Sequence, residues 1–235
     1  MNKTTICVVS YNQESYIKES VQSALNQDYP NLEVIISDDA STDGTFEIIE
    51  NVVSNYNGPH KVIVNRNNKN MGVIEHINFV VFNLINTQYF ILQAGDDISL
   101  SNRVSEIMKV FINEKPSSIC TNAIKIDEHN NEYGQFIKDN TILERKRYLK
   151  DFLIQGSNAF GASMAYDIEI FRFFGQIPLT VRNEDFILNA RASLLNGMKF
   201  HNKNLIKYRI HEESLSLRIY ADDKYPIFSA SKMTY

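Results

Sequence analysis

Strand-length apolar runs alternate with helix-spaced segments, without a break, from residue 5 to about residue 113. Thr5–Val9 reads as a buried strand. Tyr16 to Asn26 carries apolar residues at 17, 21, 24 and 25, a helical spacing. Tyr29-Pro30-Asn31 turns the chain into a second strand, Glu33–Ser37, which ends at Asp38-Asp39. Ser41-Thr42-Asp43-Gly44 then caps a helix to about Tyr56. Lys61–Val64 is a third strand and residues 72–85 a helix. Tyr89–Gln93 is a fourth strand, ending at Gly95-Asp96-Asp97, and Ser101 opens a helix to Asn113, ahead of Pro116. This alternation predicts an α/β fold, a parallel sheet flanked by helices.

In open parallel sheets, ligands sit at the carboxyl ends of the strands. Ser10–Asn12, Asp38–Asp43 and Asp96-Asp97 each follow a strand, so three distant clusters are expected to converge on one edge. The second half is less regular. Ser118–Thr121 and Ala162–Tyr166 read as short strands, Leu143–Ile154 and Asp185–Leu195 as helices, and Phe200–Ile210 contains a further strand. Asn196-Gly197 ends the helix before it. With no Gly-, Ser- or Pro-rich linker and no repeat, the halves are expected to share one core. Glu212 to Tyr235 lacks clear periodicity and reads as a tail or flap.

Composition removes several classes. A chain of 235 residues buries a large core without staples. Two cysteines, Cys7 and Cys120, exclude a disulfide scaffold and argue against a thiolate zinc site. A formal net charge of −4 argues against a nucleic-acid partner. No run approaches the ~20 apolar residues that span a bilayer. The expectation is a cytoplasmic protein with at most peripheral contact at the inner membrane face.

Asp96-Asp97 is the most informative pair. Adjacent carboxylates after a buried strand are costly unless a cation or good donors satisfy them. Mg²⁺ or Mn²⁺ binds through one or two carboxylates plus phosphate oxygens. The competing reading makes Asp96, Asp97 or Ser99 a helix cap. In the second cluster, Asp39 is expected to face the site and Asp43 to be a cap or turn residue. Tyr11 could stack on a nucleobase or simply pack. Asn183-Glu184-Asp185 precedes an apolar helix. Its acids either serve the helix dipole or supply a general base at a helix tip. His211 is a competent metal ligand that could complete a site opened by Asp97. Arg145-Lys146-Arg147 reads as a solvated helix face.

Taken in order, these pieces resemble family 2 glycosyltransferases of the GT-A fold. The resemblance rests first on Val8-Val9-Ser10-Tyr11-Asn12, Ala24-Leu25-Asn26-Gln27 and Asp38-Asp39-Ala40-Ser41-Thr42-Asp43-Gly44-Thr45. It continues through Asn70-Met71-Gly72-Val73, Asn78 and Gly95-Asp96-Asp97-Ile98. Arg182-Asn183-Glu184-Asp185-Phe186 with Arg191-Ala192 and Tyr208-Arg209-Ile210-His211 with Ser214 and Ser216 complete it. The match covers residues 4 to 216.

The resemblance implies a mostly parallel central sheet. Residues 1–115 would be the nucleotide-sugar donor half, 116–216 the acceptor-binding and catalytic half of the same domain, and 217–235 a tail or flap. It gives Tyr11 to the donor's base, with Ser10 and Asn12 shaping that loop. Asp39 would bind the base, commonly uracil, and Asp96 would approach the ribose. Asp97 would hold Mn²⁺ or Mg²⁺ against the diphosphate, with His211 approaching the metal or the diphosphate. Asp185 would be the base, with Glu184 as the alternative. The reaction implied is an inverting transfer from a nucleotide-sugar, a UDP-sugar by preference, to a saccharide or lipid-linked saccharide in surface polysaccharide synthesis. One departure is Ala94, where the family often has a further Asp. Two other classes compete: a catalytically inactive nucleotide-sugar binder of the same fold, and a phosphotransferase or phosphatase using an aspartyl nucleophile at Asp38, Asp39 or Asp96.

Overall fold

The computed structural model describes residues 1–137, 146–151, 160–181 and 183–212. The first half follows the alternation: β1 (Thr4–Ser10), α1 (Ile17–Leu25), β2 (Leu32–Asp38), α2 (Thr45–Ser54), β3 (Lys61–Arg66), α3 (Val73–Asn83) and β4 (Tyr89–Ala94). These four strands pair in parallel, in the order β3-β2-β1-β4. β1 and β2 are apolar and buried on both faces, as central parallel strands must be when helices cover both sides. Their side chains alternate between two cores. Ile6, Val8, Val34 and Ile36 pack with α1, whereas Cys7, Ile35, Phe90 and Leu92 pack with α3.

After β4 come β5 (Ile98–Ser99), α4 (Arg103–Glu114), β6 (Ser118–Ile126), β7 (Glu132–Gln135) and β8 (Lys146–Arg147). A 3₁₀ turn, Gly161–Ser163, then leads into β9 (Met164–Asp167), α5 (Glu169–Phe174), α6 (Glu184–Leu194) and β10 (Met198–Arg209). The sheet continues from β4 through β9, β6 and β10 to β5. β9 runs antiparallel to both β4 and β6, and β10 runs parallel to β6. One sheet therefore passes through both halves, mostly parallel on the first side and mixed on the second. Gly197, at φ +82°, makes the turn between α6 and β10 that few other residues make cheaply.

Three expectations need correction. The helix expected over Leu143–Ile154 is interrupted by a strand at Lys146–Arg147, which pairs antiparallel with Met198–Lys199. Residues 143–145 and 152–154 lie outside the described residues. Arg147 is accordingly buried rather than on a solvated helix face. The strand expected from Ala162 begins at Met164, because Gly161–Ser163 form the tight turn. The mostly parallel sheet is as expected, with β9 inserted antiparallel so that its register places Ala165 between Ile91 and Ile119. β5, β7 and α5 are too short or too polar to show a period. Among the described residues, no helix is long and apolar enough to cross a membrane.

Candidate active site

Register shows how the first-half clusters meet. Ser10 pairs with Asp38, Asp38 with Arg66, and Val9 with both Ser37 and Ala94, so the strand ends stand side by side. The ladders continue one bond beyond the strands: Asp39 N–H donates to Ser10 O, Asn67 N–H to Asp38 O and Gly95 N–H to Val9 O, each at 2.9 Å. Gly95 has to be glycine. A Cβ there would lie 2.2 Å from Gln13 Oε1 and 2.9 Å from Ser10 Cβ.

The two aspartates after β2 do different things. Asp38 is wholly buried. Its carboxylate accepts Ser41 N–H at 2.9 Å and the Ser41 and Ser10 hydroxyls, with Arg66 Nε 3.7 Å away. This grip bends the chain through Ala40, at φ +58°. Asp39 accepts Asn67 Nδ2–H at 2.7 Å, Gly72 N–H at 2.9 Å and Met71 N–H at 3.0 Å. It thereby ties β2 to the turn before α3, at the carboxyl edge of the sheet. The β1 loop is laced to the β2 loop: Asn12 N–H donates to Ser41 Oγ and Asn12 Oδ1 accepts Thr42 N–H, both at 2.9 Å. Ser10 and Asn12 thus hold the loop, while the Tyr11 ring is left 42% exposed. Asp43 is a turn residue, accepting the N–H groups of Thr45 and Glu14.

The acidic loop after β4 is more demanding. Asp97 is fully buried. Its Oδ1 accepts Arg209 N–H at 2.9 Å, and its Oδ2 has no partner among the described residues. Burial, and then the Asp96 charge, pushes its carboxyl well above the ordinary value. Asp96 Oδ2 lies 3.1 Å from His211 Nε2, so the imidazole meets Asp96 rather than Asp97. The His211 ring also packs 4.8 Å from Tyr16, ahead of α1. No three ligand-type side chains converge among the described residues. A hard cation that keeps phosphate oxygens needs only one or two carboxylates, and Asp97 Oδ2 is a buried oxygen with no hydrogen-bond partner among the described residues.

The second acid pair opens α6. Asn183 stands at the N-cap but makes no side-chain cap; Asp185 Oδ1 accepts Phe186 N–H at 2.6 Å instead. The backbone of Gly161 also favours the ionised form of Asp185. A Cβ on Gly161 would come within 2.5 Å of Glu184 Oε1, so a side chain there would push the Glu184 carboxylate aside. Burial, then the Asp185 charge, pushes Glu184 up to about 7, and burial also raises Asp185. A buried Arg103 joins the two acid sites. Its Nη2–H groups donate to Leu92 O on β4 at 3.0 Å and to Ala162 O beside Gly161 at 2.8 Å. The positive charge of Arg103 also acts on Asp97.

A family model described as glycosyl transferase family 2 matches residues 5–174, more than half of the chain. The chain belongs to this family. It is 30% identical over 232 residues to the Escherichia coli protein named UDP-Glc:alpha-D-GlcNAc-diphosphoundecaprenol beta-1,3-glucosyltransferase WfaP, covering 92% of this chain and 80% of that one. Two solved structures share the fold. Staphylococcus aureus TarS residues 1–349, in complex with UDP-GlcNAc, superposes with a TM-score of 0.72 at 19% identity over 90% of this chain and 60% of the other. The mannosyltransferase PcManGT of Pyrobaculum calidifontis, in complex with GDP-Man and Mn²⁺, gives 0.73 at 16% identity over 94% and 61%. The fold is GT-A, as the sequence resemblance implied. The chain spans only 36% and 31% of the length of two further bacterial relatives.

Five residues around the candidate site have no role that the sequence assigns. Asn67 holds Asp39, Gly161 admits Glu184, Arg103 bridges the acids, and Arg209 with Glu19 holds the acidic loop. Only Arg209 had a signal, lying inside the motif that ends in His211. The others are ordinary residue types whose partners lie far away along the chain.

Proposed function

We propose that this family 2 protein is a metal-dependent, inverting glycosyltransferase. It would use a nucleotide-sugar, a UDP-sugar by preference, and a hydroxyl of a saccharide or lipid-linked saccharide in surface polysaccharide synthesis. The observation that carries the proposal is Asp97 Oδ2: a buried carboxylate oxygen with no partner among the described residues, at the carboxyl end of β4. That is costly in the protein alone and becomes favourable beside a cation.

Asp97, with Asp96 and His211 beside it, would hold Mn²⁺ or Mg²⁺. When bound, the cation supplies Lewis-acid neutralisation of charge on the leaving diphosphate. Tyr11 would stack on the base, and Asp39, held by three donors, would accept an N–H of the base. Asp96 would approach the ribose. Asp185 would take the proton of the acceptor hydroxyl, whose oxygen forms the new bond at the anomeric carbon as the nucleoside diphosphate leaves from the opposite face. Glu184 is the alternative base. Residues 1–115 would serve the donor and 116–216 the acceptor. A lipid-linked acceptor, as in the name of WfaP, would bring a cytoplasmic enzyme to the inner membrane face.

The test is calorimetric titration of UDP with Mn²⁺ and with chelator, on wild type and Asp97→Asn. UDP should bind at least tenfold more tightly with Mn²⁺, and Asp97→Asn should lose that gain. A gain unchanged in the variant removes Asp97 from the metal. Absence of binding for UDP, GDP and dTDP alike sinks the donor assignment.

A further inference from the structure

Arg209 is a buried cation beside the acidic loop, at 1% exposure, and burying a guanidinium demands that its donors be met. They are met in an unusual way. Nε–H donates to the main-chain oxygen of Asp96 at 2.9 Å. Nη1–H donates to Asp127 O at 3.0 Å, in the turn between β6 and β7. Nη2–H groups donate to Asn130 Oδ1 at 2.8 Å and to Glu19 Oε2 on α1 at 2.9 Å, and the guanidinium lies 4.7 Å over the Tyr16 ring. Asn130 Nδ2–H closes the group on Glu19 Oε1 at 3.0 Å. Among the described residues, none of these side-chain hydrogen bonds reaches the carboxylate of Asp96 or Asp97.

A simple structural ion pair would seat the cation on those carboxylates. Here the side chain grips the acidic loop from its backbone, and the main-chain N–H of the same residue grips Asp97 Oδ1. Asp97 is thereby oriented with its second oxygen buried and without a hydrogen-bond partner among the described residues. We infer that Arg209 is the positioning residue of the donor-metal site, set in turn by Glu19 and the Asp127–Asn130 turn. The second half of the chain thus builds the metal geometry of the first. This rests on the metal-dependent donor site proposed above. Lysine cannot take over the role, because it lacks the planar fork of donors.

The experiment compares wild type, Arg209→Lys, Glu19→Gln and Asn130→Ala. UDP affinity is measured by calorimetry with Mn²⁺ and with chelator, alongside the electron paramagnetic resonance spectrum of Mn²⁺ in the UDP complex. Arg209→Lys should lose at least tenfold of the Mn²⁺-dependent gain and change the Mn²⁺ spectrum, with metal-free UDP affinity within twofold of wild type. Glu19→Gln and Asn130→Ala should each lose about threefold of the gain, and they decide the matter if Arg209→Lys does not fold. Folded variants that keep both gain and spectrum overturn the inference. So does an equal loss of metal-free and metal-dependent binding, the mark of a general structural role. If wild type itself shows no Mn²⁺-dependent gain with UDP or GDP, the donor-metal reading fails first and this inference falls with it; a wild-type gain with indifferent variants removes Arg209 alone.

Discussion

The two halves assemble their parts of the site over different distances along the chain. In the first, Asn12 meets Ser41 and Thr42, and Asp39 meets Asn67 and Gly72, partners 28 to 33 residues apart. These are neighbours across adjacent parallel strands, one βαβ step away. In the second, Arg209 reaches Asn130, Asp97 and Glu19 across 79, 112 and 190 residues. A parallel strand order puts consecutive loops at one edge automatically. The antiparallel insertion of β9 breaks that rule, and the second half closes its site through buried arginines instead. The first half is thus a repeated local device, and the second a set of long-range clamps laid over it.

The sharpest way to break this division is at the acid pair. Asp185→Asn should lower turnover by roughly 10²–10⁴-fold, the usual worth of general-base help, while leaving UDP binding with Mn²⁺ unchanged. Steady-state transfer assays and calorimetry on the same preparation check it. If Glu184→Gln loses more turnover than Asp185→Asn, the base is Glu184.

A second test reads burial rather than chemistry. The folded chain holds the Glu184 proton up to about pH 7, whereas the unfolded chain releases it near 4.5. The folded state binds the extra proton in that window, so this group makes stability fall as pH rises from 4.5 to 7. Glu184→Gln should therefore stabilise the metal-free protein by about 3 kcal/mol at pH 8 and hardly at all at pH 4.5. Urea unfolding at the two pH values decides it, and equal effects at both would mean that the acid is not held in a desolvated position.

The smallest effect belongs to the first half. Tyr11→Ala should weaken UDP binding about tenfold, in keeping with the ~1–3 kcal/mol of base–aromatic stacking, and equally with Mn²⁺ and with chelator. A loss confined to one condition would tie Tyr11 to the metal and blur the separation of the halves.

Much of the first half was legible because its signals are local. Val-Ile runs specify buried strands, Asp43 specifies its turn, and three polar clusters after strands specify a common edge. Arg147 shows where legibility stops. Beside Arg145 and Lys146 it reads as solvated, yet its strand pairs with residues fifty positions later and buries it. Gly161 carries no local signal at all; what a side chain there would meet is the Glu184 carboxylate oxygen, which another element brings in.

The sequence alone determined the alternation, the strand ends and the two acidic motifs. Each is a property of a short window in which side-chain period or residue type speaks directly. Tertiary structure decided which oxygen of Asp97 is left without a hydrogen-bond partner among the described residues, that His211 meets Asp96, and that Arg209 grips the loop from behind. Those outcomes depend on pairing β10 beside β6 and inserting β9 between β4 and β6. Such contacts follow from strand order, and strand order is settled by burying two cores at once rather than by any stretch of chain.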